Sequence, residues 1–131
     1  MIDRSEEITT HFEPLPCNAI VYRALMKKRW IDEDTEEVLA DAFLLRKDRG
    51  EIGVSVNPAI TCSPQACANK FKRCTAVASL HVGKVRDLGL DVIQNRSDHA
   101  HIIGLPYPED NEAEWEKLAD LLANQSRIIR I

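Results

Sequence analysis

The sequence predicts a single α+β domain built on a mixed, twisted sheet, open to splitting, with two main helices. Three observations carry that prediction. Short β-branched runs recur from Ala19 to the C-terminus, two segments carry helix-start chemistry, and strands and helices alternate without a regular βαβ rhythm. A length of 131 residues suits one domain with one sizeable core.

Residues 1–18 carry Asp3, Glu6, Glu7 and Glu13 ahead of Pro14-Leu15-Pro16, so a polar, partly mobile arm is expected before a domain over 19–131. Ala19 to Leu25 is β-branched and aromatic and reads as the first strand. Lys27-Lys28-Arg29-Trp30 then meets Asp32-Glu33-Asp34, and Thr35 to Ala40 is expected as a short helix. Lys47-Asp48-Arg49-Gly50 forms a turn before a strand over Ile52 to Val56, whose Gly53 signals a bulge or a close backbone approach. Ser63 as N-cap and Pro64 at the first helical position open a helix expected to run to Cys74. Ala76 to Val82 is a strand. Lys84 to Leu88 makes one or two helical turns ended by Gly89, with Leu90 folding back on Val85. Strands over Leu90 to Ile93 and Ala100 to Gly104 flank the polar turn Asn95 to Asp98. Asn111 with Glu114 is close to a capping box, and Trp115, Leu118, Ala119 and Leu122 give the following helix, Asn111 to Gln125, one apolar stripe. Arg127 to Ile131 closes the chain as a strand.

Composition excludes several classes. A net charge of −4 offers no electrostatic case for nucleic acid or an anionic membrane. No apolar run approaches the roughly 18 residues that span a bilayer, and Met1-Ile2-Asp3-Arg4 does not open a signal peptide. A cytoplasmic protein with thiol-form cysteines is expected. Dinucleotide fingerprints, phosphate loops, nucleophile elbows and zinc-protease motifs are missing from the sequence.

Three constellations remain. Cys62, Cys67, Cys74 and His81 invite a zinc reading, but the spacing lacks the tight knuckle of a structural site. Cys67, Phe71 and Cys74 instead form a helical stripe suited to a core, so no metal is assigned. His99 and His101, two apart on a strand, project from one face while Ala100 and Ile102 face inward. Such a pair can hold a metal, bind a phosphate or, as the candidate catalytic groups, shuttle protons; the alternative is two solvent-facing histidines on a half-covered sheet. Arg23, beside Tyr22 on an apolar strand, must reach water or a partner: a phosphate clamped bidentately, or a carboxylate such as Asp41. Ser55, after Gly53, either bonds a ligand or faces solvent. Lys70, Lys72 and Arg73 read as a solvated helix end rather than a nucleic-acid patch.

Tyr22-Arg23, Ala42-Phe43, Gly53-Val54-Ser55-Val56, Val77-Ala78-Ser79-Leu80 and His99-Ala100-His101-Ile102-Ile103-Gly104-Leu105-Pro106 together resemble a group of small uncharacterised bacterial proteins. A more distant likeness is to NAD-consuming toxins of the ADP-ribosyltransferase-like and RES types, which place a Tyr-Arg pair on the first strand and a serine after a glycine on a later one. That resemblance implies NAD as cofactor, with Tyr22, Arg23 and Ser55 binding it, Arg23 clamping the pyrophosphate, and an antitoxin or other protein as partner. Such enzymes use a glutamate to stabilise oxocarbenium charge, and here Glu51 and Glu109 fall in turns rather than on a strand. Two other readings stand beside this one: a non-catalytic interaction module using a sheet face or the acidic arm, and a metal protein using His99 and His101.

Overall fold

The computed structural model describes residues 13–131, so the first twelve residues of the expected arm lie outside the described part. The rest of that arm is docked. Leu15 is buried in the main core, and the Gly83 N–H donates to the Cys17 carbonyl at 2.8 Å.

Eight strands follow: β1 (Ile20–Ala24), β2 (Ile31–Asp32), β3 (Glu37–Val38), β4 (Val54–Pro58), β5 (Ala76–His81), β6 (Asp91–Arg96), β7 (His99–Ile103) and β8 (Arg127–Arg130). Among the described residues three α-helices connect them: α1 (Pro64–Asn69), α2 (Val82–Asp87) and α3 (Glu112–Gln125). Six strands form one sheet in the order β6-β7-β4-β1-β5-β8, and β2 with β3 makes a separate hairpin. The α+β class holds, but the sheet is not mixed, because every pairing is antiparallel. A parallel pair would need β4 and β5 side by side across their α1 crossover, and β1 is inserted between them.

The two sheet faces bury different sets. Val21, Val56, Ala78, Leu80, Ala100 and Ile102 face the main core, which α3 and the short 3₁₀ turn Ala40–Phe43 cover. Trp115 of α3 fastens that cover, its indole N–H donating to the Phe43 carbonyl at 3.1 Å. The opposite face carries a smaller cluster of Ala24, Cys67, Ala68 and Val77 beneath α1. Ser63 caps α1 by accepting from the Ala66 N–H at 3.0 Å, and Asn111 caps α3 by accepting from the Glu114 N–H at 3.2 Å, as their sequences predict.

Two helix expectations are corrected. Thr35 to Ala40 holds no helix: the Asp32 carboxylate accepts from the Asp34 and Thr35 N–H groups, Glu36 takes a positive φ of 59°, and Ile31 pairs with Val38. An Asx-type turn outcompetes a run too short to nucleate a helix. The Ser63 helix stops at Asn69 rather than Cys74: the Lys70 and Phe71 N–H groups donate three residues back, to the Cys67 and Ala68 carbonyls at 3.3 and 3.1 Å, and Arg73 turns left-handed at φ 64° before Cys74. The Cys67–Phe71–Cys74 stripe is therefore broken: Cys67 is buried, Cys74 half-buried and Phe71 exposed.

Gly53 is a close approach. A Cβ there would lie 2.7 Å from the His101 Cβ and 2.8 Å from the Ile102 carbonyl oxygen. Its missing side chain lets β7 pack against the start of β4.

Candidate functional site: a cationic cleft at a split in the sheet

Strands β1 and β4 pair only at Val21–Pro58 and Tyr22–Asn57. Beyond those pairs the ladder stops, and Arg23 occupies the gap. Its Nε donates to the Ala42 carbonyl at 2.9 Å, and one terminal nitrogen donates to the Ser55 carbonyl at 3.1 Å. The guanidinium also sits 5.0 Å from the Trp30 ring centroid. Burial lowers its pKa to about 10, partly opposed by the charge of Glu51, so it stays protonated at neutral pH. Two backbone carbonyls hold Arg23, and no ion pair joins it to Asp41 among the described residues, so a carboxylate is not what holds it in the fold. A guanidinium carries more N–H donors than these bonds use, and Arg23 lines the cleft.

The cleft has two chambers that meet at Arg23, Ser55 and Phe71. The first, about 250 Å³, runs along the 27–30 and 41–54 segments and carries Lys27, Arg29 and Arg46 with Asp41 and Glu51. The second, about 240 Å³, opens on the sheet face beside α1 and carries Asn57, Lys70, Arg96 and His99. Six basic side chains thus line the cleft of a chain whose net charge is −4.

Within the first chamber Arg46 and Glu51 form a bidentate pair, at 3.1 and 2.7 Å to the same carboxylate oxygen, and Glu51 also accepts from the Arg46 backbone N–H. Burial would raise the Glu51 carboxyl, but the Arg46 hydrogen bonds hold it below the usual range. It is ionised at neutral pH.

The second chamber has a built floor. Asn57, the buried polar residue of the described core, donates to the Asp98 carbonyl at 2.7 Å and accepts from the Cys67 thiol at 3.0 Å. It ties β4 to the β6–β7 turn and to α1. Burial pushes the Cys67 thiol up to about 12, so it is no nucleophile. Asp98 accepts from Lys70 at 2.9 Å and lies 3.9 Å from the Arg96 Nε.

His99 lines this chamber, and its Nδ1 lies 2.7 Å from the Asn95 side-chain oxygen. That oxygen can only accept, so Nδ1 carries the proton and Nε2 keeps a lone pair. Desolvation, with His101 and Arg96 nearby, lowers the His99 pKa to about 4, and the ring is neutral. His101 stands edge-on to it, ring centroids 4.7 Å apart and planes at 82°. Its Nδ1 is buried without a hydrogen-bond partner among the described residues.

The structure thus brings Arg23, Ser55 and His99 to one chamber. His101 shares the side of the sheet that carries Ser55 and His99, opposite Ser55 in the β4–β7 register, with its ring edge-on to His99. Tyr22 is on that side too, yet it packs against the cluster under α1 and lines neither chamber. Among the described residues no group of three or more His, Cys, Asp or Glu is placed to hold a metal ion, so the His99–His101 pair gains no third ligand. No helix among the described residues is long and apolar enough to cross a membrane.

Sequence reasoning missed Arg46, Arg96 and Asn57, left Glu51 in a turn, and assigned Phe71 to a core stripe that does not form. Lys70 belongs to the cleft rather than to a purely solvated helix end. Their one signal was the surplus of cations flanking the first strand and the Ser63 helix, which linear spacing cannot bring together. Compared with family models, curated proteins and solved structures, the chain matches none.

Proposed function

We propose that this protein is a toxin-like NAD-binding protein of the ADP-ribosyltransferase-like kind, with the dinucleotide seated across the two-chambered cleft. The observation that carries this reading is the position of Arg23: a desolvated guanidinium at the split, shared by both chambers, with Ser55 and His99 beside it. Pyrophosphate is the group such a planar, pre-positioned cation recognises best. Its neighbours supply the rest of a nucleotide site. Phe71, exposed where the chambers meet, offers a stacking face for a base, and the Ser55 hydroxyl suits a ribose.

The chemistry that follows is cleavage of the bond between nicotinamide and ribose, the electron pair leaving with nicotinamide and an oxygen of water bonding to the ribose carbon in its place with loss of a proton to solvent. As that bond breaks, positive charge develops on the ribose, and an ionised carboxylate nearby stabilises it. Glu51 is a carboxylate of this kind, reaching the chamber from a turn rather than a strand, and Arg46 keeps it ionised. Neutral His99 accepts through Nε2 and orients a ribose hydroxyl. An antitoxin-like partner would block the cleft mouth, and the biological setting would be growth inhibition of a bacterial host.

Incubation with NAD, following nicotinamide release, tests the reaction; calorimetry with NAD tests the site. Binding with release supports the enzyme. Binding without release leaves a dinucleotide-binding module, and neither binding nor release at millimolar NAD refutes the proposal.

A further inference from the structure

The carboxylates of the cleft are unevenly divided: two stand in the wall of the first chamber and none in the second. In the first chamber Arg23, Lys27, Arg29 and Arg46 share the wall with two carboxylates, Asp41 and Glu51, the latter pairing with Arg46 at 2.7 Å. The second chamber has no carboxylate in its wall, while Arg23, Lys70 and Arg96 all reach it. Asp98 lies behind this pair and serves both cations, taking one hydrogen bond from Lys70 at 2.9 Å and standing 3.9 Å from Arg96. An ammonium has N–H groups beyond the one Asp98 uses, and the Arg96 guanidinium donates to no protein hydrogen-bond acceptor among the described residues. Three cations against one carboxylate leave a positive excess in a space of about 240 Å³, small enough for one tetrahedral anion and part of a ribose.

We infer that the second chamber is a phosphomonoester subsite, and that the ligand of this cleft is a dinucleotide phosphorylated on a ribose hydroxyl rather than the unphosphorylated form. This inference rests on the dinucleotide reading above for the rest of the ligand, and on Lys70 and Arg96 for the extra phosphate. A dianionic phosphate accepts from both side chains and from Arg23 at once, which a bridging pyrophosphate in the first chamber does not require. The neutral His99 matches this geometry. Its Nε2 is an acceptor, unsuited to a phosphate oxygen but suited to the free hydroxyl next to a phosphorylated one. Asn57 sets the position of the Asp98 backbone, so Asp98 aims both cations without blocking the chamber.

Calorimetry with three probes tests this: NAD, NADP, and adenosine 2′,5′-bisphosphate, which carries the ribose phosphate but neither pyrophosphate nor nicotinamide. The wild-type protein is expected to bind NADP at least tenfold more tightly than NAD and to bind the bisphosphate measurably. The double variant Lys70→Gln, Arg96→Gln is expected to lose the preference and the bisphosphate, and a thermal melt of that variant checks that it is folded. Both substitutions lie on exposed side chains, and wild-type ligand discrimination alone already decides the matter if the variant fails to fold. Equal affinity for NAD and NADP overturns the subsite and leaves the dinucleotide reading standing. Binding of the bisphosphate with no binding of either dinucleotide does the reverse. A preference for NADP that survives the double variant overturns the assignment to Lys70 and Arg96, and no binding of any probe overturns both readings.

Discussion

Replacing Arg23 with alanine removes two hydrogen bonds that close the gap between β1 and β4, and leaves the carbonyls of Ala42 and Ser55 without a donor. It also removes the stacking of the guanidinium on Trp30 at 5.0 Å. Hydrogen bonds to a charged group contribute about 1.5–3 kcal/mol each, and a partly buried cation–π contact about 0.5–2 kcal/mol. Against this stands the cost of desolvating the guanidinium, visible in its lowered pKa, which alanine no longer incurs. The net loss should be about 2–4 kcal/mol of folding stability. At roughly 3–5 °C per kcal/mol for a domain of this size, the melting temperature should fall by about 6–20 °C. Arg23→Lys keeps the charge but reaches only one carbonyl, so it should lose about half as much. No carboxylate is stranded by either change, which separates this account from a buried ion pair: the deficit should be the same at pH 8 and pH 5. Thermal melts and urea denaturation of both variants at the two pH values are the assay. A melting temperature within about 1 °C of wild type, or a deficit that disappears at the lower pH, refutes the role assigned to Arg23.

Three further outcomes follow from the same geometry. His99 titrates at about 4 in the folded protein against 6.5 ordinarily, so between those values the unfolded chain binds the extra proton and stability falls as pH is lowered; His99→Gln should flatten that part of a urea-midpoint profile, and an unchanged slope counts against the buried neutral ring. Gly53→Ala places a methyl 2.7 Å from the His101 Cβ and against the Ile102 carbonyl, and should cost about 1–3 kcal/mol by forcing β7 outward, read by chemical denaturation. Asn57→Ala strands the Asp98 carbonyl and the Cys67 thiol, and should cost about 2–4 kcal/mol while raising the reactivity of Cys67 toward a thiol reagent; an inert thiol would show that α1 does not depend on Asn57.

The elements legible in the sequence are those whose signals are local. Ser63-Pro64 and Asn111 with Glu114 satisfy helix N-termini within a few residues, and both caps form. His99, His101 and Ile103 alternate against the buried Ala100 and Ile102, because strand periodicity is a property of the backbone alone. Where a local signal failed, a competing contact won. The Asp32 side chain captured two backbone N–H groups and replaced a helix by a hairpin, and three-residue bonds at Lys70 and Phe71, followed by a left-handed Arg73, ended α1 before Cys74.

By itself the sequence determined the α+β class, most strand positions, the two caps, and the chemical types from which a site is made. The tertiary structure decided how those types meet. Inserting β1 between β4 and β5 makes the sheet antiparallel, and ending the β1–β4 ladder at Tyr22–Asn57 opens the split that Arg23 fills. Lys70 from the end of α1, Arg96 from β6 and Glu51 from a turn then converge on that split from positions far apart in the chain. Periodicity and capping act over a few residues and leave their mark on the sequence. Convergence across a sheet depends on strand order and on where a ladder ends, and neither is written in the spacing of the residues that meet there.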